Sequence, residues 1–213
     1  MISVILLMGG NSSRMNLNEN KLFLPLGDKL VFEHSLSKFL NYDFEIICVT
    51  QQKYIGYLEK YKEQVKIVIG GNTRQESVYN GLNACSNEYV IIHDAARPFI
   101  TKKIIDDCVL AINNNQNFLV SVPAKDSVYQ INPLVNLKRE SLKLAQTPQG
   151  GIKKDFINAQ ILANKENKQF TDDISLVMNY FDKPIQIIDG DDLNFKITTK
   201  LDYIVAKEMM RND

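Results

Sequence analysis

Short, almost wholly apolar runs alternate along this chain with amphipathic stretches of helical spacing, and that alternation leaves few folds open. Residues 3–7 (Ser-Val-Ile-Leu-Leu) show no polar alternation after Ser3. A strand carries such a run when both of its faces are covered. Residues 31–40 then place Val31, Leu36, Phe39 and Leu40 at helical spacing. Strand patterns return at 44–50, 66–69, 89–93 and 118–122, with helix patterns at 53–61, from Thr73 through Leu82, and at 102–112. Thr73-Arg74-Gln75-Glu76 fits a capping box, and Thr101 is placed to cap the next helix. Helix patterns at 153–163, 171–180 and 199–210 and a strand at 185–189 complete the chain.

This βαβα rhythm predicts an α/β, Rossmann-like fold: a mainly parallel twisted sheet flanked by helices. The rhythm changes over residues 126–144, where Ser127-Val128-Tyr129-Gln130-Ile131 alternates and Asn132-Pro133 offers a turn. A protruding β-arm is expected there. No shift of composition marks a boundary, so residues 1–213 read as one domain with the arm inside it.

Charge and cysteine usage narrow the function classes. Lys+Arg and Asp+Glu are both 25, a net charge of zero, where a nucleic-acid binder usually carries a basic excess. No apolar run approaches the roughly 20 residues of a membrane span. Met1 to Met8 lacks the basic start and the apolar length of a signal peptide. Cys48, Cys85 and Cys108 form no C-x-x-C and sit among apolar residues, so buried free thiols are expected. Together these point to the cytoplasm, with neither a nucleic acid nor a membrane as partner.

In an open parallel sheet, ligands bind beyond the carboxyl ends of the strands, so the chemistry is sought in the loops after the apolar runs. The first is Met8-Gly9-Gly10-Asn11-Ser12-Ser13-Arg14-Met15, with Lys21 further on. Its glycines admit close backbone approach, and successive N–H groups there can cradle phosphate oxygens. Arg14 adds a planar fork of donors and Lys21 a point charge. The loop is neither G-x-G-x-x-G nor G-x-x-x-x-G-K-[ST], so neither a dinucleotide fold nor a P-loop is supported. The second loop, Gly70-Gly71-Asn72-Thr73-Arg74-Gln75-Glu76-Ser77, is expected to put free N–H groups at a helix start, with Ser77 one turn on. The third, His93-Asp94-Ala95-Ala96-Arg97-Pro98-Phe99, suits a polar site: Asp94 for a ribose hydroxyl or a metal, Arg97 for a phosphate. A structural Asp–Arg pair at a strand end fits the same residues, and His93 reads as a packed, hydrogen-bonded histidine. Gln146-Thr147-Pro148-Gln149 reads on its own as a turn, Thr171-Asp172-Asp173 as a helix cap, and Asn194-Phe195-Lys196-Ile197-Thr198 as an edge strand with one cation.

Taken in order, these motifs resemble a known family. Gly9-Gly10-x-x-x-Arg14-Met15 with Lys21 is similar to the entry motif of sugar-nucleotide-type nucleotidyltransferases. Gly70-Gly71-x-x-Arg74-Gln75-x-Ser77-Val78, His93 to Phe99, Gln146-Thr147-Pro148-Gln149-Gly150 and Asn194-x-Lys196-Ile197-Thr198 narrow the resemblance to the 2-C-methyl-D-erythritol 4-phosphate cytidylyltransferases. The resemblance implies transfer of a cytidylyl group from CTP to a polyol phosphate, with Mg²⁺ held mainly through the CTP phosphates. It implies that Leu7, Met8, Gly9, Gly10, Asn11, Ser12, Ser13, Gly71, Asn72, Ser77, Asp94 and Ala95 hold the nucleotide, with Asp94 also a candidate metal ligand. Arg14, Lys21, Arg139 and Lys196 are the implied catalytic cations. Asp94, Arg97, Ser127, Arg139, Thr147 and Lys196 are the implied acceptor-binding set. It further implies a homodimer whose arm crosses to the partner.

Similar motifs occur in ribitol-5-phosphate cytidylyltransferases, and Gly9 to Met15 also resembles molybdopterin-type guanylyltransferases; a non-catalytic nucleotide-binding protein is the reading from another class. Ala95-Ala96 and Arg74-Gln75-x-Ser77-Val78 favour the methylerythritol enzymes. The chain departs from the family's usual pattern at Ser12 (usually Gly), Ser127 (usually Thr) and Gly151 (commonly Phe), so packing after Gly150 is expected to differ.

Overall fold

The computed structural model describes residues 1–9 and 20–211. In chain order the elements are β1 (Ile2–Leu7), β2 (Pro25–Leu26), β3 (Lys29–Leu30), α1 (Val31–Phe39), β4 (Glu45–Thr50), β5 (Lys66–Ile69) and α2 (Arg74–Ala84). There follow β6 (Tyr89–Asp94), α3 (Lys102–Asn113), β7 (Asn117–Pro123), β8 (Val128–Ile131), β9 (Leu134–Leu137) and β10 (Lys143–Ile152). The chain ends with α4 (Lys153–Glu166), α5 (Asp173–Tyr180), β11 (Ile185–Asp189) and α6 (Lys200–Met209).

Seven of these strands form one sheet in the order β11-β7-β10-β6-β1-β4-β5. The predicted α/β, Rossmann-like architecture is the one observed. β1 pairs in parallel with β4 and β6, β4 with β5, and β7 with β11, while β10 runs antiparallel to β6 and β7. The carboxyl ends of the parallel strands therefore lie on one rim. The chain leaves β1 to one side through β4 and β5, then returns to its other side at β6. That reversal places a crevice beyond the paired strand ends at Leu7 and Asp94, where such sheets bind ligands.

The apolar run of β1 is explained by its position. Val4 and Leu6 pack into one core with Phe32, Leu36 and Phe39 of α1 and Ile105 of α3. Ile5 and Leu7 enter a second core on the opposite face, with Val78 and Leu82 of α2 and Phe156 of α4. All three cysteines are buried and form no disulfide. Burial pushes the thiols of Cys48 and Cys85 up to about 12, which leaves them protonated and unreactive at neutral pH.

The largest surprise is β10. Its centre, Gln146-Thr147-Pro148-Gln149, read as a turn, yet it is buried in the middle of the sheet. Proline cannot donate to a ladder, and the strand accommodates it where the register with β7 shifts between Ala145 and Gln149. The buried amides are satisfied by side-chain bonds. Gln149 Oε1 accepts from the N–H groups of Asp173 (3.0 Å) and Ile174 (2.9 Å), and Gln146 Nε2 donates to the Asp191 carbonyl (2.8 Å). The next residue has to be glycine, because a Cβ on Gly150 would lie 2.1 Å from the Val90 carbonyl oxygen.

A second difference is at 53–61, expected as an α-helix. The segment Gln52–Tyr61 is a 3₁₀ helix. Gly56 weakens the helical preference, and the rings of Tyr54 and Tyr57 pack on Phe23 at 4.6 and 4.1 Å between centroids. The arm is as expected: β8 and β9 form a separate two-stranded hairpin. Its Ile131 and Leu134 are 77% and 73% exposed, large for apolar side chains.

Candidate active site

On the carboxyl rim lies a cleft of about 520 Å³, within the range of small-molecule sites. Four strand ends and one late segment build it. The end of β1 gives Leu7 and Gly9, the end of β4 gives Thr50 with Gln51 and Gln52, and the loop after β5 gives Gly70 to Arg74 and Ser77. Asp94, the last residue of β6, and Lys196 close the opposite side.

Lys196 belongs to the segment after β11, which is pinned rather than paired as an edge strand. Asn194 Nδ2 donates to the Thr147 carbonyl (2.9 Å) and to Gln146 Oε1 (3.1 Å), while the Ile197 N–H donates to the Ala96 carbonyl (2.9 Å). Between these anchors the Lys196 ammonium donates to Asp94 Oδ2 at 2.8 Å. The other oxygen, Asp94 Oδ1, faces Arg74 Nε at 3.6 Å. Burial alone would raise the Asp94 carboxyl, but the cations of Arg74, Lys196 and Arg97 hold it well below the usual carboxylate range.

Behind Asp94 a buried network fixes the strand end. Thr147 Oγ1 accepts from the Asp94 N–H (3.1 Å) and lies 3.1 Å from His93 Nδ1. His93 Nε2 faces the Arg97 carbonyl at 3.4 Å, which can only accept, so the proton of the neutral ring belongs on Nε2 and Nδ1 accepts from Thr147. Burial pushes His93 down to about 3, so it is a neutral, hydrogen-bonded core residue as read from the sequence. Arg97 does not form the anticipated direct pair with Asp94. Its Nη1 donates to the Asn194 carbonyl (2.8 Å), and its buried Nε has no partner among the described residues.

Thr73 caps α2 as expected, accepting from the Glu76 N–H (3.0 Å). Glu76 does not return to Thr73. Its carboxylate accepts from the Asn72 N–H (2.7 Å), and Ser77 Oγ accepts from the Gly71 N–H (3.1 Å). The Gly71 and Asn72 N–H groups of the preceding turn are thus held by their own loop, while the N–H groups of Arg74 and Gln75, the first of α2, make no hydrogen bond among the described residues.

Comparison with known proteins fits this geometry. The sequence model of the 2-C-methyl-D-erythritol 4-phosphate cytidylyltransferases matches residues 2–212. Curated relatives carrying that name include one from Clostridium botulinum (strain Langeland), 36% identical over 98% of this chain and 96% of its own. Another, from Bacillus cereus (strain ATCC 10987), is 33% identical over 99% and 98%. The chain belongs to this family. Solved structures that are similar to it include 4-diphosphocytidyl-2C-methyl-D-erythritol synthase from Anaerococcus prevotii, at TM-score 0.88 and 25% identity over 99% of this chain and 98% of that one. The cytidylyltransferase from Francisella tularensis matches at TM-score 0.83 and 28% identity, over 97% and 98%.

Of the residues that the family resemblance singled out, Leu7, Gly9, Gly71, Asn72, Ser77, Asp94 and Lys196 line the cleft together. Met8 and Ala95 are buried beside it, their N–H groups donating to the carbonyls of Val49 and Leu7. Arg97 and Thr147 stand behind Asp94. Lys21 opens the short 3₁₀ turn Lys21–Phe23, capped by Asn20. Ser127 and Arg139 flank the β8–β9 hairpin, Arg139 donating to the Lys125 carbonyl (3.0 Å), and neither lines the cleft. Gly10, Asn11, Ser12, Ser13 and Arg14 lie outside the described residues. The sequence reading gave no role to Thr50, Gln51, Gln52 or Arg74, which also line the cleft. Thr50 ends β4 and Gln51 and Gln52 follow it, an apolar run whose carboxyl-end loop could have been searched by the rule applied to the other strands.

Proposed function

We propose that this chain transfers the cytidylyl group of CTP to 2-C-methyl-D-erythritol 4-phosphate, giving 4-CDP-2-C-methyl-D-erythritol and pyrophosphate for non-mevalonate isoprenoid precursor synthesis. The observation that carries this reading is the Arg74–Asp94–Lys196 row on the carboxyl rim beside the glycine-rich loops, in a chain of this family. An oxygen of the acceptor phosphate attacks the α-phosphorus, and the bond to pyrophosphate breaks. A phosphate monoester is already anionic, so no base has to remove a proton. The obstacle is repulsion: two unit charges about 4 Å apart cost about 4 kcal/mol at an effective dielectric of about 20. Fixed cations offset several such terms, so catalysis rests on positioning and electrostatics.

In this reading Arg14 and Lys21 stabilise charge at the α-phosphorus. The β1 loop with Gly71, Asn72 and Ser77 holds the nucleotide, Asp94 borders its ribose, and Lys196 with Arg97 and Thr147 serves the acceptor side. Among the described residues lining the cleft, Asp94 is the one carboxylate, and no cluster of three or more acidic, His or Cys side chains is present. That donor set suits a Mg²⁺ ion that would be held chiefly by the triphosphate and water, with Asp94, whose two oxygens face Lys196 and Arg74, as the one carboxylate nearby. Bound there, the ion would neutralise triphosphate charge. Three buried thiols suit a cytoplasmic setting.

Release of pyrophosphate from CTP, assayed with each acceptor, is expected to proceed with 2-C-methyl-D-erythritol 4-phosphate; turnover with ribitol 5-phosphate alone would overturn the assignment. GTP with Mg²⁺ is expected to stabilise the protein against heat less than CTP does, and the reverse order would reject the cytidylyl reading. The exposed apolar hairpin supports a homodimer in which Arg139 serves the partner's site. Sedimentation is expected to give twice the 24.3 kDa of the chain. A monomer at micromolar concentration would sink the dimer.

A further inference from the structure

Arg74 does two things that a simple cleft cation does not. Its Nη1 and Nη2 form a fork on Asp173, donating to Oδ1 at 2.9 Å and Oδ2 at 2.7 Å. Its Nε edge is thereby turned toward Asp94 Oδ1. Asp173 is itself immobile: its carboxylate is 3% exposed, it stands at the first position of α5, and its N–H is taken by Gln149 of β10. Four alternating charges, Asp173, Arg74, Asp94 and Lys196, therefore stand in one row that starts behind the cleft and ends at the cation on its far side.

We propose that Asp173 and Arg74 are positioning residues for the acceptor step, dividing the two oxygens of Asp94 so that Lys196 is aimed but not captured. The proposal rests on the cytidylyltransferase reading of the cleft. With Arg74 in place, Asp94 spends Oδ1 on one cation and Oδ2 on the other. Without it, Lys196 is, among the described residues, the one cation left within 4 Å of the carboxylate, which turns both oxygens onto that ammonium and withholds it from an incoming phosphate. A guanidinium suits the task because its planar fork serves Asp173 while leaving an N–H edge for Asp94, which a lysine ammonium cannot do with fixed geometry. If the Arg74–Asp173 pair merely tied α2 to α5, losing it would lower stability without favouring one substrate over the other.

Asp173 does not line the cleft, so Asp173→Asn tests the row without touching the nucleotide. Wild-type turnover of CTP with 2-C-methyl-D-erythritol 4-phosphate is measured first; its absence rejects the reading of the site and this proposal with it. Given turnover, Asp173→Asn is expected to raise the acceptor KM about tenfold while the calorimetric Kd for CTP stays within twofold. Because Asp173 acts through Lys196, Asp173→Asn combined with Lys196→Ala is expected to be no worse in acceptor kcat/KM than Lys196→Ala alone. Losses that multiply in the double variant, unchanged kinetics in Asp173→Asn, or equal weakening of both substrates would overturn the proposal and leave the cytidylyl reading standing. Should Asp173→Asn fail to fold by thermal melt, Arg74→Lys enters the same cycle with Lys196→Ala, with the same two outcomes.

Discussion

Lys196→Ala is expected to lower kcat/KM for the acceptor by about a hundredfold or more, the usual loss when one preorganised donor is taken from a developing charge. The ammonium sits 2.8 Å from Asp94 Oδ2 on a segment that Asn194 and Ile197 pin to β10 and to the loop after β6. Its position is thus set before any substrate arrives, and little reorganisation is left for the reaction to demand. Removing it also leaves Asp94, 7% exposed, with one neighbouring cation fewer, so an added carboxylate repulsion meets the incoming phosphate. Steady-state pyrophosphate release under saturating CTP measures the effect. A loss below about fivefold would show that the acceptor is held by other groups.

The second large effect concerns folding. Gly151→Phe is expected to cost about 3–5 kcal/mol, a large share of the roughly 5–15 kcal/mol that keeps a domain folded. The family commonly carries Phe at this place, so the substitution looks conservative from the resemblance. Here Gly151 adopts φ +136°, a conformation that side-chain-bearing residues rarely take. A Cβ would lie 2.2 Å from Asn117 Oδ1 and 2.5 Å from Asn117 Cα. Asn117 occupies that space productively, accepting from the Ile152 N–H (2.9 Å) and donating to Asp155 Oδ2 (2.8 Å). Urea unfolding measures the cost, and a change under about 1 kcal/mol would refute this account of Gly151.

What could be read from residues alone follows from how local each signal is. The run in β1, the caps at Thr73 and Thr101, and the alternation in the arm are decided within a few positions, and each appears where expected. β10 was missed because its polar residues are tolerated by partners far away in sequence: Gln149 by the start of α5, Gln146 by Asp191, and Gly150 by Val90. The cleft divides in the same way. Asp94 and Lys196 were singled out, but their bond spans 102 positions, and the Arg74–Asp173 fork spans 99. No spacing rule reaches such pairs; the sheet order that brings them together has to be known first. The capping box shows the limit at short range too, since Glu76 had two N–H groups within reach and the Gly70-Gly71 turn gave it Asn72.

The reversed strand β10 has a mechanical meaning. A few residues join the β8–β9 hairpin to it, and the same strand carries Thr147 beneath Asp94 and Gln149 beneath Asp173. The hairpin therefore continues into the strand whose inner part accepts from the backbone N–H groups of both acidic residues of the charge row. A partner that grips the hairpin is thus joined to the floor of the charge row by one covalent path, through the short Arg139–Ser141 turn and the shift in register between Ala145 and Gln149.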